Sequence, residues 1–108
     1  MKIVAVTSCA TGIAHSYMAA EAIEKICKKQ GFKVKVEIQG AMGIENALSN
    51  SEISAADAVV LANDVAVSKA DRFKGHEQKT VRLSPHKVIQ NPEAVVHELE
   101  TAHLIKEG

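Results

Sequence analysis

Residues 2–30 restrict the possible folds of this chain more than any other segment. An apolar and largely β-branched run, Lys2 to Thr7, is typical of a strand that is buried on both faces of a sheet. A short loop follows, and from about Ala14 to Gln30 the apolar residues recur at helical spacing. A buried strand that passes through a loop into a helix is the beginning of a parallel α/β fold.

The rest of the chain continues this alternation. Further strands are predicted at residues 33–38, 58–62 and 79–83, and helical patterns separate them. The sequence therefore predicts a single-domain α/β fold with a four-stranded parallel sheet, helices on both faces and strand 1 at the centre. Ligands of such sheets bind at the carboxyl ends of the strands beside the switch point, where the loop from Thr7 to His15 is expected to lie.

Capping residues mark the ends of the predicted helices. A Ser or Asn before a helix and a Gly after it satisfy main-chain groups that the helix itself leaves unpaired. The first helix is predicted to stop at Gly31, and a Ser49–Glu52 capping box predicts a short helix ending near Ala56. A weak helical stretch is predicted at 68–73. The last helix is predicted to have Asn91 as N-cap and Pro92 at N1 and to end near Lys106.

The composition fits one globular domain and excludes several functions. Thirteen basic residues balance thirteen acidic ones, and the 108 residues include one Tyr, two Phe and no Trp. The chain therefore lacks the basic and aromatic surface of a nucleic-acid-binding protein. No apolar run approaches the ~20 residues that cross a bilayer. Two cysteines are too few for a secreted disulfide scaffold, so we expect a cytoplasmic protein.

The loop after strand 1 places a cysteine where a helix is about to begin. Main-chain N–H groups at the start of a helix lack helical partners, and together with the helix dipole they form a site for an anion such as phosphate. The same field favours the thiolate over the thiol, and the thiolate is the nucleophile. Cys9 is therefore predicted to be a reactive residue that accepts a phosphoryl group, and the predicted phosphate-binding loop consists of Ala10, Thr11, Gly12, Ile13 and Ala14.

His15 and Ser16 complete the predicted site. Cys9 and His15 form a Cys-x5-His arrangement, where tyrosine phosphatases have Cys-x5-Arg. Because an imidazole does not hold two phosphoryl oxygens as a guanidinium does, this arrangement favours a loop that accepts and releases phosphate over one that hydrolyses it. Ser16, in the first turn of the helix, is placed to donate its hydroxyl to the Cys9 thiolate.

The segment VAVTSCATGIAHSYMAAE, from Val4 to Glu21, closely resembles the IIB domains of the fructose family in the bacterial phosphoenolpyruvate-dependent sugar phosphotransferase system (PTS). The resemblance implies that residues 1–108 form a single fructose-type (type-2) EIIB domain. It fades after about Leu83, and the other matching residues are Val34–Glu37, Gln39, Gly40, Gly43, Ala55–Asp57, Asp64, Arg72 and Phe73.

The resemblance also implies a function. In that family a cysteine, matched by Cys9, receives a phosphoryl group from a phosphohistidine of the IIA component and passes it to a sugar, by default fructose, that the membrane component IIC holds. The implied partners are a phosphorylated IIA protein or domain and a IIC permease with its sugar. The chain departs from the family at Ala10, where Pro is usual, and at Ser16, where Thr is frequent. Since Pro has no N–H, Ala10 is expected to leave the function intact.

Several residues outside the loop leave alternatives open. Asp64, after the third predicted strand, fits a role in steadying the loop or orienting His15, and equally well a simple turn. Residues 39–43 fit a contact with a partner or a plain turn. Cys27 lies about 20 Å along the helix from the Cys9 loop and is predicted to be structural. No metal or cofactor is expected, because metal-ligand spacing is missing around His76, His86, His97 and His103.

Three other functions match parts of the pattern. A small cysteine phosphatase or arsenate reductase uses the same loop but requires the Arg that His15 replaces. A nucleotide-binding module requires a Gly-x-Gly-x-x-Gly or Gly-Lys-Ser/Thr motif, which the sequence lacks. A thiol redox protein requires Cys-x-x-Cys, and this sequence has Gly12 at the second position. The phosphatase or reductase is therefore the main alternative. Met1 directly before strand 1 and the polar C-terminal end favour a separate polypeptide.

Overall fold

One sheet of five strands forms the centre of the protein. The computed structural model describes residues 1–9, 13–40, 43–102 and 104. The strands are β1 (Lys2–Ser8), β2 (Lys33–Gly40), β3 (Gly43–Glu45), β4 (Ala58–Asn63) and β5 (Thr80–Leu83). Their order in the sheet is β3-β2-β1-β4-β5, so the first strand is central, as predicted.

Four of these strands form the predicted parallel sheet, and the fifth corrects the predicted number. β1, β2, β4 and β5 run parallel, whereas the short strand β3 pairs antiparallel with the end of β2. Gly43 has a φ of +109°, which favours glycine, and it lies where the chain reverses. The predicted loop at 39–43 therefore belongs to two strands, except for Ala41 and Met42, which lie outside the described residues. Three residues are too few to show strand alternation in a sequence.

Helices cover both faces of the sheet, as predicted. They are α1 (Ile13–Lys29), α2 (Asn50–Ala55), α3 (Pro85–Gln90) and α4 (Glu93–Thr101), with 3-10 turns at Ala70–Phe73 and Glu77–Lys79. Residues of α1, α3 and α4 share one core with Ile3 and Ala5 of β1, while α2 and the first 3-10 turn share the other with Val4 and Val6. β1 thus buries alternate residues on opposite faces, as a strand covered on both sides must.

The predicted signals for the first two helices are confirmed. α1 ends at Lys29, and Gly31 follows with a φ of +80° as its C-terminal stop. α2 begins with the predicted capping box, in which the Glu52 N–H donates to Ser49 Oγ at 3.1 Å and the Ser49 N–H donates to Glu52 Oε1 at 3.0 Å. Within the described ranges, no helix has the length and apolar character needed to cross a membrane.

A helix that the sequence analysis did not predict, α3, precedes the last helix. Its N-cap is Ser84, whose hydroxyl accepts the Lys87 N–H at 3.1 Å, and Pro85 occupies the first turn. The predicted N-cap of the last helix, Asn91, is instead the C-cap of α3, and Pro92 is the N-cap of α4. The Ser-Pro pair is itself a helix-start signal and is sufficient to predict α3.

The last helix is shorter than predicted. α4 ends at Thr101 with Ala102 as its C-cap, and Lys106, near which the end was predicted, lies outside the described residues. The Leu104 N–H donates to the Leu99 carbonyl at 2.9 Å, and the half-buried Leu104 side chain packs on the core. This contact closes the helix in the way that C-terminal caps commonly do.

The carboxyl end of β1 lies between the ends of β2 and β4. Ser8 is in register with Gln39 on one side and with Asn63 on the other. Cys9 and Asp64 therefore leave adjacent strands side by side. From β1 the chain crosses to β2 on one side and later to β4 on the other, so this edge is the switch point at which a ligand site is expected.

Candidate functional site

The Cys9 thiol contacts two polar side chains at this edge of the sheet. Its Sγ donates to Asp64 Oδ2 at 3.3 Å and lies 3.9 Å from His15 Nδ1. Cys9 is half-buried, whereas Ser8 before it is buried. The structure thus brings together three residues that the sequence analysis named, from the end of β1, the first turn of α1 and the end of β4.

Asp64 is held by the main chain of the neighbouring strand. Its N–H donates to the Ser8 carbonyl at 3.1 Å, which extends the pairing of β4 with β1 by one residue. The Asn63 side chain then donates to the Val65 carbonyl at 2.8 Å and forms the turn. The sequence left open whether Asp64 steadies the loop, orients His15 or only forms a turn. In the structure the exposed carboxylate of Asp64 is a partner of the Cys9 thiol.

His15 contacts a second histidine that the sequence analysis did not connect with the site. The rings of His15 and His86 meet edge to face with their centroids 6.5 Å apart. His86 is exposed in the first turn of α3, and α3 packs against α1. Since α3 was not predicted, the sequence alone did not place His86 near His15.

Ser16 is oriented away from its predicted partner. The side chain is fully buried, and its hydroxyl donates to the main-chain carbonyl of Gln39 at 3.4 Å. The predicted hydrogen bond to the Cys9 thiolate is therefore replaced by one that fixes the first turn of α1 to the end of β2. A serine hydroxyl has one proton to donate, so it does not serve both partners at once.

The first turn of α1 is next to Cys9, as the contact with His15 shows. Ile13 and Ala14 form the start of this helix, and the main-chain N–H groups there are those that a helix leaves unpaired. Ala10, Thr11 and Gly12, which were also predicted to bind phosphate, lie outside the described residues. A thiol, an imidazole and a helix N-terminus together are suited to accept a phosphoryl group and to stabilise its negative charge.

Cys27 has none of this reactive character. It is buried in the core on the inner face of α1, and burial raises the pKa of its thiol to about 11. A thiol with so high a pKa forms little thiolate near neutral pH and is a poor nucleophile. The prediction that Cys27 is structural is confirmed.

A buried ion pair joins β2 to the 3-10 turn that follows β4. Glu37 on β2 is fully buried, and its carboxylate accepts two hydrogen bonds from Arg72 at 2.6 and 2.8 Å. It also accepts the Leu48 N–H and the Gln39 side-chain amide, both at 2.7 Å. Burial opposes the charge, but the hydrogen bonds from Arg72, Leu48 and Gln39 outweigh it and hold the pKa of Glu37 below its ordinary value of 4.5. We call Glu37, Gln39 and Arg72 the Glu37 network.

The Glu37 network bears on one alternative that the sequence left open, and it was otherwise missed. Gln39 was considered as a contact for a partner, but its side chain is buried and turns inward. Placing the apolar residues of β2 on one face puts Glu37 and Gln39 on the other. Because helices were predicted on both faces of the sheet, the face of β2 that carries Glu37 and Gln39 could have been expected to be buried as well.

Three exposed side chains that are largely apolar lie close to the site residues in sequence. Tyr17 is 41% exposed and Met18 is 49% exposed, and both follow His15 along α1. Val65, which follows Asp64, is 38% exposed. The Tyr17 hydroxyl hydrogen-bonds the Glu45 carboxylate of β3, and this bond raises the pKa of Tyr17 above 10.0. Exposed apolar side chains beside a reactive residue are typical of a surface that contacts another protein.

The described residues were compared with the arrangements that hold metal ions. Within the described part of the chain, no group of three or more His, Cys, Asp or Glu residues is arranged to hold a metal ion.

One family model matches most of the chain. It is described as "PTS system, Lactose/Cellobiose specific IIB subunit", and the match covers residues 4–98. The matched segment includes Cys9, His15, Asp64 and the whole Glu37 network.

Relatives and solved structures agree with that match. The "PTS system fructose-like EIIB component 2" of Escherichia coli (strain K12) is 42% identical over 103 residues, which are 95% of this chain and 94% of the relative. The "Fructose-like PTS system EIIBC component" of the same organism is 42% identical over 101 residues, 94% of this chain but 21% of that protein. The crystal structure of a "Predicted Fructose Specific IIB from Escherichia Coli" superposes with a TM-score of 0.86 at 35% identity and covers 98% of this chain and 92% of its own.

Proposed function

We propose that this chain, which belongs to the PTS IIB family and within it to the fructose-like components, passes a phosphoryl group through Cys9 to a fructose-like sugar during sugar uptake. The observation that carries the proposal is the Cys9 thiol beside the first turn of α1, 3.3 Å from Asp64 and 3.9 Å from His15. The family description names lactose and cellobiose, but the relative that covers 95% of the chain is named for fructose. We therefore favour a fructose-like sugar and treat residues 1–108 as one fructose-type EIIB domain.

The first step moves the phosphoryl group onto sulfur. The Cys9 sulfur attacks the phosphorus of a phosphohistidine on the IIA partner, an S–P bond forms, and the N–P bond breaks. The bonding electron pair returns to the donor imidazole. The thiol proton passes to the Asp64 carboxylate, which already accepts it in a hydrogen bond and is exposed, so that water can carry the proton away. His15 and the N-terminus of α1 then hold the phosphoryl oxygens.

The second step releases the group to the sugar. A sugar hydroxyl oxygen attacks the phosphorus, the S–P bond breaks, and its electron pair returns to sulfur as a thiolate. The hydroxyl proton leaves the sugar as the new O–P bond forms and, in the net reaction, restores the Cys9 thiol. The chain is therefore unchanged after one cycle, which makes it a protein-phosphohistidine–sugar phosphotransferase in this proposal.

The phosphatase or arsenate reductase alternative is not favoured. Such enzymes hold phosphate with a forked guanidinium in the position of His15, and an imidazole provides a weaker and less specific hold. The relatives are named as PTS components, and none of those reported above is named as a phosphatase.

The proposed partners follow from the relatives and from the exposed side chains that lie close to the site residues in sequence. The EIIBC relative carries the IIB part in one polypeptide with a IIC part, which supports a membrane IIC component as the acceptor-side partner. The exposed Tyr17, Met18 and Val65 provide a docking surface for the IIA donor, whose phosphohistidine must reach Cys9. Because both partners of such a carrier meet it on the inner side of the membrane, we place its action in the cytoplasm at the IIC component.

Intact-mass analysis tests the proposed function. The purified chain is incubated with phosphoenolpyruvate and the upstream carriers, including a IIA protein. One phosphoryl group is expected per chain, located by peptide mapping on the peptide that contains Cys9, and it is expected to disappear when membranes with a fructose-type IIC component and sugar are added. An unmodified chain in the presence of phosphorylated IIA would show that the proposal is wrong.

His15→Ala is expected to slow phosphoryl transfer by about tenfold or more, because a charge-assisted hydrogen bond is worth ~1.5–3 kcal/mol. The melting temperature is expected to stay within a few degrees, since His15 is half-buried at a helix start. His15→Arg is expected to hold the phosphoryl group more tightly, to slow its onward transfer and to favour hydrolysis. The lifetime of the phosphocysteine with and without acceptor measures both effects.

The matched control for these variants is His97→Ala, which removes an exposed imidazole from α4. It is expected to transfer at the wild-type rate. If His15→Arg donates to sugar as fast as wild type and hydrolyses no faster, the role assigned to His15 is incorrect.

A further inference from the structure

Gln39 contacts both sides of the Cys9 site, and we infer that it is a positioning residue that holds Asp64 at the Cys9 thiol. It lies at the end of β2 in register with Ser8, the residue before Cys9. The expected effect of Gln39 on phosphoryl transfer rests on the proposed function, whereas its expected effect on the alkylation rate of the Cys9 thiol does not.

The Gln39 side chain fixes the segment that carries Asp64. The Ser68 N–H donates to Gln39 Oε1 at 2.8 Å, and Gln39 Nε2 donates to the Ser68 carbonyl at 3.0 Å. The amide thus pairs with the main chain of Ser68 as a neighbouring strand would. At the other end of this segment the Asp64 N–H donates to the Ser8 carbonyl at 3.1 Å. Residues 64–68 are therefore held at both ends.

The Gln39 main chain fixes the opposite side of the site. Its carbonyl accepts the hydroxyl of the buried Ser16 at 3.4 Å, which ties the first turn of α1 to the end of β2. His15 is the residue before Ser16, and its Nδ1 faces the Cys9 sulfur. One residue therefore joins the helix that carries His15 to the segment that carries Asp64, with Cys9 between them.

The Glu37 network determines which way the Gln39 amide points. Gln39 Nε2 donates to Glu37 Oε2 at 2.7 Å, and an ionised carboxylate only accepts hydrogen bonds. Arg72 keeps Glu37 ionised through its two hydrogen bonds. The NH2 group of Gln39 must therefore face Glu37, and its oxygen is left to receive the Ser68 N–H. Arg72 Nη2 also donates to the Ser68 carbonyl at 3.2 Å, so the ion pair supports the same segment directly.

Gln39→Met tests this inference, because methionine has a similar length but cannot form the paired hydrogen bonds. The measurement is the rate of Cys9 alkylation by iodoacetamide at pH 7, followed by peptide mass spectrometry with buried Cys27 as internal reference. Among the residues that the structure describes, the titratable groups seen in contact with Cys9 are Asp64 and His15, and His86 lies against His15. Asp64→Asn removes the carboxylate that accepts the Cys9 thiol proton and so frees the sulfur for the reagent, and alkylation is expected to be about twofold to fivefold faster.

The double variant separates positioning from a general loss of structure. Gln39→Met is expected to raise the alkylation rate like Asp64→Asn, and Gln39→Met/Asp64→Asn is expected to match Asp64→Asn alone, because Gln39 acts through Asp64. An unchanged rate in Gln39→Met, or multiplied effects in the double variant, would overturn the inference.

Lys79→Met is the matched control for stability. Lys79 Nζ donates to the carbonyls of Ile53 and Ala56, away from the site, so this change lowers the melting temperature without touching residues 64–68. The alkylation rate is expected to be that of wild type. With the natural donor and acceptor, Gln39→Met is further expected to slow phosphoryl transfer by about tenfold to a hundredfold through misplaced groups. Because alkylation needs no phosphoryl donor, its result decides the role of Gln39 independently of the proposed function.

Discussion

Cys9→Ser is expected to abolish phosphorylation of this chain and to lower transfer to sugar by on the order of a thousandfold or more, as removal of a covalent nucleophile does in other enzymes. Serine has nearly the shape of cysteine, so the contacts with Asp64 and His15 remain available. Its hydroxyl, however, is far less acidic than a thiol and does not form an anion near neutral pH. The measurement is the intact mass of the variant after incubation with phosphoenolpyruvate and the upstream carriers.

Cys27→Ala is the control that makes this result specific. Cys27 is the other cysteine of the chain and is buried away from the edge of the sheet, so its removal is expected to leave one phosphoryl group per chain. Unchanged circular dichroism of Cys9→Ser excludes misfolding. A phosphoryl group found on a histidine of either variant would show that sulfur is not the carrier.

The pairing of Cys9 with His15 could be predicted from the sequence because the two residues are close together in the chain. Cys9 and His15 are six residues apart, within one strand–loop–helix unit whose pattern of apolar residues is unambiguous. The central position of β1 follows from the same pattern, since a strand buried on both faces needs neighbours on both sides. Short range and strong periodicity are what make such predictions dependable.

The contact of Asp64 with Cys9 and the Glu37 network could not be predicted, because they join residues that are far apart in the chain. Asp64 is 55 positions from Cys9, and Arg72 is 35 positions from Glu37. The sequence shows that Asp64 follows a strand, but only the register of β1 with β4 shows that it meets the thiol. Similarly, the sequence does not show that Arg72 pairs with Glu37 of β2, because the two residues meet only in the folded chain. The elements that were missed, β3 and α3, have only three and six residues, so their hydrophobic patterns hardly repeat, and only the Ser84-Pro85 start of α3 gave a local signal.

The Glu37 network also makes a strong prediction about stability, because it buries a charge. Arg72→Met is expected to lower the free energy of unfolding at pH 7 by about 3–5 kcal/mol, the usual cost of leaving one partner of a buried ion pair unpaired. The Glu37 side chain is 0% exposed and that of Arg72 is 12% exposed, so solvent cannot replace the lost bonds. The Arg72 hydrogen bonds to the carbonyls of Leu48 and Lys69 are lost as well. Urea unfolding measures the change.

Two control variants separate the buried charge from other effects. Lys25→Met breaks an ion pair with Glu21 whose side chains are 76% and 66% exposed, and it is expected to cost less than about 1 kcal/mol. Glu37→Leu/Arg72→Met removes both charges and is expected to be more stable than Arg72→Met alone, since no unpaired carboxylate remains. If the double variant is the less stable of the two, the burial of the Glu37 charge is not the cause.

The pH dependence of the same variants tests the cause from another direction. In the wild type the pKa of Glu37 is held below 4.5, so its contribution to stability is complete above pH 4.5 and is lost as the pH falls through the pKa of the folded state. Without Arg72, burial dominates and raises the pKa of Glu37 above 4.5, so folding takes up a proton and Arg72→Met becomes relatively more stable as the pH falls. The difference between wild type and Arg72→Met is therefore expected to shrink steadily from pH 7 to pH 4. A difference that is constant over this range would mean that Arg72 stabilises the fold through packing and not through the charge of Glu37.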